Sequence, residues 1–423
     1  MNNKQLSRLA FAALLLCGAV QAQTAQTTPA APTTSSVAIF GVLDLGLVAI
    51  DGMEAKTRRF VSSGSQMGSR LGFRGTEEIS PGWKAMFTIE HQFYGDTGAQ
   101  SQTNPSGPIP ARALVGIPNT VRNVLEPQLR EFLNREVQNQ FWHRQAWVGL
   151  VTPGGAVLAG RQYSPVFATF ARFDPHLAGN IGNAFAAITT PTGLEPRVDN
   201  SLQYVAELGG FRLNVMVGAG EGSIPDARFW GFSAGYAVGG LDIGVGHQRR
   251  KRGLDYLDSL ENTVVGASYS FGAWKLTGSW TSVKDAHPSL GAELRAGLLA
   301  STNPALVAFR PQFLQYAGQI ASNLGYDGKL MYGGVHYQIN ERNKLVVSYG
   351  DYNDKVDQRD VAIGGVALEH QLSKRTSIWL SGSKVDNKSF NQILPYSQGL
   401  LYGFTDKPGR DASAYSLNIV HRF

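Results

Sequence analysis

The sequence predicts an all-β fold: a transmembrane antiparallel β-barrel of about sixteen strands. Three observations carry the prediction. Apolar and polar residues alternate with period two in segment after segment, the connections between these segments alternate between short and long, and an export leader precedes a body without cysteine.

The leader comes first in the chain. Lys4 and Arg8 form a short basic region, Leu9 to Val20 is apolar, and Val20-Gln21-Ala22 is a small-residue cleavage site. That order is a secretory signal peptide over 1–22. Its apolar run is shorter than the roughly 20 residues a membrane-spanning helix needs. Cys17 lies within the leader, but Leu16 before it is too large for a lipid-attachment motif. Since Cys17 is the sole cysteine, no disulfide is available to the exported body. Residues 23–34 are rich in Thr, Ala and Pro without apolar periodicity, and read as a flexible tail. No comparable linker recurs, so 35–423 reads as one large domain.

The closing segment shows the strand pattern most plainly. Tyr415, Leu417, Ile419 and Phe423 share one face, and Ser416, Asn418 and Arg422 the other. Period two with one apolar face is a half-buried strand. Trp83, Ala85, Phe87 and Ile89 alternate in the same way with Lys84, Thr88 and Glu90; Leu345, Val347 and Tyr349 share a face; and Trp274, Leu276 and Trp280 oppose Lys275, Thr277 and Ser279.

The connections give the count. Short turns fall at 80–82, 153–155, 209–210, 239–240, 272–273, 340–342 and 373–375. Longer polar segments fall near 52–67, 97–139, 164–198, 222–228, 252–260, 286–326, 354–360 and 388–410. Seven turns and eight loops join sixteen strands into hairpins, the bacterial pattern of tight turns on one side of the membrane and long loops on the other. Closure has a direct cause: in hydrocarbon an unpaired backbone group costs several kcal/mol, so a sheet there tolerates no edge. About sixteen strands enclose water. Two loops contain helical spacing. Val124, Leu125, Gln128, Leu129, Phe132 and Leu133 recur at i, i+3, i+4 within 121–140, and Leu290 to Leu299 is similar. A helix packed on local apolar surface accounts for both.

Composition excludes several classes. No stretch beyond residue 22 has 18 uninterrupted apolar residues, which rules out helical spans. The net charge is +6, or +4 without Lys4 and Arg8, too modest to indicate a nucleic-acid partner. The eight histidines are scattered, and neither H-E-x-x-H nor G-x-S-x-G occurs. No catalytic or cofactor constellation stands out.

Several segments, in order along the chain, resemble the trimeric porins of β-proteobacteria, the family of the Bordetella, Comamonas, Burkholderia and Neisseria porins. Ser35 to Asp44 is similar to the family's opening strand and Ser69 to Glu78 to its second. Arg144-Gln145-Ala146-Trp147-Val148-Gly149-Leu150 and Gly160-Arg161-Gln162-Tyr163 flank the approach to the third loop, Asp199 to Tyr204 follows it, Leu372 to Thr376 is a late turn, and His421-Arg422-Phe423 is the end. The resemblance implies a homotrimeric outer-membrane channel for ions and small hydrophilic solutes, with the third loop, here 164–198, folded into the barrel and Phe167, Phe170, Phe173 and Phe185 packed on the wall. It implies that Phe423 is the signal for the barrel assembly machinery. It also implies a constriction in which wall arginines face acids of the third loop: Arg70, Arg74, Arg144, Arg161 and Arg197, with Glu90, Asp174, Glu195 and Asp199. Rings of side-chain charge select ions electrostatically, so an arginine excess favours anions. Parity places Arg70 and Arg74 opposite the lipid-facing Leu71 and Phe73, and Glu90 inward. It leaves Arg144 ambiguous, since Ala146 and Val148 share its phase. Arg249, Arg250, Lys251 and Arg252 form a basic run suited to lipopolysaccharide phosphates, and an ordinary solvated loop is the leading account of it. The alternatives are a channel specific for a sugar or anionic solute, an outer-membrane hydrolase, and a secreted β-sandwich array.

Overall fold

The computed structural model describes residues 35–53, 56–100, 109–138, 141–176, 179, 181–189, 193–220, 228–251, 258–285, 289–355, 359–395 and 404–423. The leader, the tail and Arg252 lie outside the described residues.

The strands are β1 (Ser35–Asp51), β2 (Arg58–Ser63), β3 (Arg70–Ser80), β4 (Trp83–Gln92), β5 (Gln145–Thr152), β6 (Gly155–Tyr163), β7 (Arg197–Leu208), β8 (Phe211–Gly218), β9 (Phe229–Val238), β10 (Leu241–Lys251), β11 (Asp258–Phe271), β12 (Trp274–Asp285), β13 (Tyr326–Gln338), β14 (Asn343–Asp354), β15 (Val361–Gln371), β16 (Thr376–Asn387) and β17 (Ala412–Arg422). Every pairing is antiparallel, and β17 closes the ring on β1, from Val42 opposite Arg422 to Asp51 opposite Ser413. On its other edge β1 pairs with β3 through Ser35–Val42 and with β2 through Leu45–Ile50. β2 and β3 are thus two pieces of one stave, and the barrel has sixteen.

That break departs from the sequence reading, which left 52–67 as loop. Residues 58–63 pair with β1, and 64–69 turn into the lumen instead. Asp44 holds the kink: its Oδ2 accepts the backbone N–H of Gln66 and of Met67, each at 2.7 Å, and Asn418 Nδ2 donates to Oδ1 at 2.6 Å. Gln66 Nε2 reaches Ser381 Oγ.

The two faces follow the alternation. Leu47, Val148, Leu380 and Tyr415 stand exposed on the outside, while their neighbours Val48, Trp147, Ser381 and Ser416 are buried inside. Trp83, Phe211, Trp274, Tyr236, Tyr269, Phe271 and Tyr337 gather within two or three residues of the short turns, with Trp274 stacked on Tyr337. Such an aromatic girdle marks a membrane interface. No described helix is long and apolar enough to cross a membrane, which says nothing about strands.

The eight longer connections emerge at the opposite end. Loop 3 (164–196) turns inward. Ser164 caps α1 (Pro165–Phe173) by accepting the N–H of Phe167 at 3.2 Å, and Pro165 suits the first turn. Phe167, Phe170 and Phe173 are buried, and Phe185 contacts the first two. The wall makes room where it lacks side chains. A Cβ on Gly266 would sit 2.2 Å from the Phe173 ring, one on Gly350 2.7 Å from Ala184 Cβ, and one on Gly365 2.4 Å from Gly182 Cα. Polar pins complete the docking. Thr277 Oγ1 donates to Phe173 O at 2.7 Å, His176 Nε2 meets Ser348 Oγ at 2.9 Å, and Ile181 N donates to Ser65 O in the kink at 3.1 Å. A short helix, α2 (Ala186–Thr189), precedes the return to β7.

Loop 2 (93–144) carries the helix its spacing predicts, α3 (Asn119–Gln138), and loop 6 (286–325) carries the predicted α4 (Ser289–Ala300) and two further helices that the sequence reading did not single out, α5 (Pro304–Ala308) and α6 (Arg310–Leu324). Leu125 and Leu129, four residues apart on α3, are fully buried against α4 and α6.

Candidate functional site in the lumen

Glu90 is the centre of the site. It lies on the inner face of β4 and is almost fully buried. Arg70 Nε approaches its Oε1 at 3.1 Å, Arg144 Nε its Oε2 at 3.2 Å, and Gln145 Nε2 donates to Oε2 at 3.0 Å. Arg144 also donates to Gln92 Oε1 and to the Tyr163 hydroxyl, each at 2.8 Å. Arg197 lies over the Tyr163 ring, 5.0 Å from its centroid, and adds a weaker attraction at Glu90. Three arginines therefore converge on one carboxylate. Next to them, the imidazole of His143 is pushed down to about 3 by burial and then by Arg197 and Arg144. It is neutral at ordinary pH and adds no charge, so the cluster has an excess of two positive charges.

The chain positions these groups by different means. Arg70 points inward by strand parity. Arg144 immediately precedes β5, where the pleat no longer dictates direction, and turns in to Glu90; the ambiguity of its phase is resolved by its lying just outside the strand. Arg197 opens β7 opposite Tyr163.

The remaining expected residues lie elsewhere. Arg74 faces the lumen as parity requires, but it is exposed and lies over the Phe40 ring at 5.2 Å, toward the short-turn end. Arg161 is opposite Ala146 and so on the outer face, where it pairs with Asp199 at 2.5 Å. A bulge explains this: Asn200 is left-handed, with φ 52°, and the extra residue in β7 moves Asp199 to the outside. Asp174 serves loop 3 itself, accepting from His176 N at 2.8 Å and from Asn183 Nδ2 at 2.7 Å. Glu195 pairs with Arg250 at 2.7 Å. The acids of the third loop therefore do not oppose the arginine cluster, and Glu90 of the wall does.

The basic run divides by parity. Arg250 points inward, paired with Glu195 and over the Phe229 ring. Arg249 and Lys251 take the outer phase, Arg249 near Glu261 at 3.6 Å.

A second ionic group was not singled out from the sequence. Asp242 on β10 meets Arg172 of α1 at 2.5 Å and also binds Arg212 of β8. Beside it a cavity of about 70 Å³, lined by Gln145, Gln162, Gln203 and Asn214 together with Trp147, Phe173 and Val205, separates α1 from the wall. It has room for a few water molecules. The signal in the sequence is faint, because the partners lie 30 and 70 residues from Asp242.

Comparison with known proteins fits this geometry. The Gram-negative porin family profile matches residues 9–389. Outer membrane porin protein 32 of Delftia acidovorans is 23% identical over 436 residues, covering 99% of each chain. A Bordetella pertussis outer membrane porin is 25% identical over half of this chain and 47% of its own. Among solved structures, an anion-selective porin from Comamonas acidovorans superposes with a TM-score of 0.68 at 20% identity, covering 92% of this chain and all of that one. The Vibrio cholerae outer-membrane protein OmpT superposes at 0.56 and 12% identity, over 94% of this chain and all of its own. A closed sixteen-stave barrel, an inward third loop and a charged lumen agree with the profile, and the chain belongs to the Gram-negative porin family.

Proposed function

We propose that this outer-membrane porin is a general diffusion channel that prefers anions, with Arg70, Arg144 and Arg197 around Glu90 forming the selective constriction. The observation that carries the reading is the charge excess: Arg70 and Arg144 pair with one carboxylate, Arg197 stands beside them over Tyr163, and the third-loop acids are held elsewhere. A passing anion meets an uncompensated positive field in a narrow channel, where low-dielectric walls strengthen it. The anion-selective Comamonas porin of the same fold lends support. Arg74 belongs to the same lumen but acts as a solvated charge. The reading is of passive transport rather than catalysis.

Several finer assignments belong to the same proposal. Residues 1–22 are a leader that is cleaved on export, the short turns face the periplasm and the long loops face outside. The functional unit is a homotrimer, as in the trimer form of OmpT. Phe423 is the mark read by the barrel assembly machinery; it is locked to β1 by reciprocal backbone bonds with Gly41 at 3.0 and 3.1 Å. Arg249 and Lys251, on the outer side of β10, contact lipopolysaccharide phosphates, whereas Arg250 is committed to Glu195.

The test is the zero-current potential of refolded protein in a planar bilayer under a potassium chloride gradient. An anion-sided potential that falls toward zero in Arg144→Ala supports the reading. A cation-sided potential overturns the charge assignment and keeps the channel.

A further inference from the structure

Loops 2 and 6 leave the barrel eight staves apart in a ring of sixteen, so they start from opposite walls. They nevertheless share one apolar core. Ile109, Leu114, Leu125 and Leu129 of loop 2 pack with Leu298, Phe313 and Ile320 of loop 6, all of them buried. Asn323 Nδ2 donates to Val115 O at 2.9 Å and to Ala113 O at 3.2 Å. Two loops rooted on opposite walls can share a core only by crossing the mouth between them.

The bridge is fastened along one half of the rim. Ala111 N donates to Gln392 Oε1 of loop 8 (388–411) at 2.6 Å. The Tyr326 ring lies between Arg112 of loop 2, 5.5 Å away, and Arg359 of loop 7 (355–360), 5.4 Å away. Arg359 in turn pairs with Asp354 at 2.6 Å, and its carbonyl accepts from Asn391 of loop 8 at 3.0 Å. Arg410 of loop 8 approaches Asp51, at the base of loop 1, at 3.6 Å. Loops 1, 2, 6, 7 and 8 thus form one connected body.

We propose that this helical bridge is a size filter placed at the mouth, ahead of the constriction. The bridge spans the mouth and excludes molecules that an open sixteen-stave mouth would admit. This rests on the channel reading above. Charge discrimination belongs to the arginine cluster below and is independent of the bridge.

The experiment replaces residues 111–138 with a short Gly-Ser link and compares single-channel conductance, zero-current potential and the swelling of proteoliposomes in neutral sugars from a pentose to a trisaccharide. Circular dichroism and heat-modifiable migration report folding. The expected result is a conductance increase of about twofold and a larger gain, on the order of fivefold, in the trisaccharide-to-pentose uptake ratio, with the potential keeping its sign. A folded deletion variant with the parent's conductance and sugar cut-off overturns the proposal. If the deletion does not fold, Gln319→Ala with Asn323→Ala decides: it removes only the polar contacts of α6 to loop 2. Raised trisaccharide uptake then supports the filter, and an unchanged ratio overturns it. A parent and variants that are all folded and all silent overturn the channel reading itself, whereas a silent parent opened by the deletion makes the bridge a plug of the same kind.

Discussion

The third loop and the helical bridge both leave the barrel wall and lie over its interior, but the third loop takes its place from the wall and the bridge takes its place from itself. Loop 3 rests where the wall has no side chain, at Gly266, Gly350 and Gly365, and is pinned by strand residues such as Thr277 and Ser348. The bridge is held by leucines and a phenylalanine of the two loops packed on one another, with strand residues contributing at its margin through Tyr326. The lesson is that the same outcome, chain folded over a lumen, can be written in two places. Constriction geometry is written in the strands, and mouth geometry in the insertions. Changes in one are expected to leave the other intact.

The largest separation of the two comes from Gly266→Leu. The new side chain occupies the space of the Phe173 ring, so α1 is pushed toward the lumen axis. Overpacking of this kind costs about 1–3 kcal/mol. Single-channel conductance is expected to fall to about half or less while the barrel stays folded, because a narrower passage limits flux. The control is Gly364→Leu, one residue before the Gly365 contact, where an added Cβ meets nothing within 4 Å. Equal behaviour of the two variants would mean that wall glycines do not position the loop.

Next in size is Glu90→Gln. The amide keeps a hydrogen-bonding partner for Gln145 and removes the charge shared by Arg70 and Arg144. The excess at the constriction rises from two positive charges to three, and the zero-current potential is expected to move further to the anion side. Stripping one partner from a buried pair costs about 3–5 kcal/mol in a dry interior, and less beside a water-filled lumen. A lower melting temperature with a larger anion preference is the expected combination. A shift toward cations would show that Glu90 is not the acid that tempers the cluster.

A smaller effect follows from pH. Burial first, then the neighbouring His336 and Lys344, pushes the His176 imidazole down from 6.5 to about 3. The folded protein therefore holds His176 neutral, and the unfolded or undocked loop binds a proton more readily. The docking it supports is complete above pH 6.5 and is lost progressively as pH falls toward 3. Between pH 7 and pH 5, current noise from loop 3 is expected to grow in the parent and to stay flat in His176→Asn. The His176 contacts lie in the third loop and the wall, not in the core of the bridge, so sugar cut-off is expected to stay constant over the same window. Equal pH dependence in both proteins would remove His176 from the docking.

Much of this was legible in the sequence, for a physical reason. Lipid outside and water inside force alternation, so Leu47, Val148 and Tyr415 announce their face, and tight turns announce the ends of strands. Leu125 and Leu129 announce a helix by their spacing. What parity could not convey is where a strand stops obeying it. Arg144 sits one residue before β5, Asn200 inserts a left-handed residue that carries Asp199 to the outer face beside Arg161, and the Ser- and Gly-rich 62–69 stretch has no alternation to show that it folds inward. Long-range partners are silent too: neither Glu195 with Arg250 nor Asp242 with Arg172 has a local signal. The wall was readable because every residue repeats one constraint, whereas the site depends on single exceptions to it.

The smallest expected effect tests whether the constriction is local. Arg74 shares a face with Arg70, four residues along β3, which is about 13 Å at strand rise. That exceeds the screening length of about 8 Å at physiological salt. Arg74 is also exposed, with the Phe40 ring on one side and water on the other. Its field at Glu90 is therefore weak, whereas Arg144 touches the carboxylate. Arg74→Ala is expected to shift the zero-current potential by less than a quarter of the shift in Arg144→Ala at about 0.1 M salt, and by nothing measurable near 1 M, where screening shortens to about 3 Å. Arg144→Ala is expected to keep much of its effect at both, since a contact pair excludes the screening ions. If the two variants shift the potential equally, selectivity is spread along an arginine-lined wall, and the third loop merely narrows a lumen that selects over its whole length.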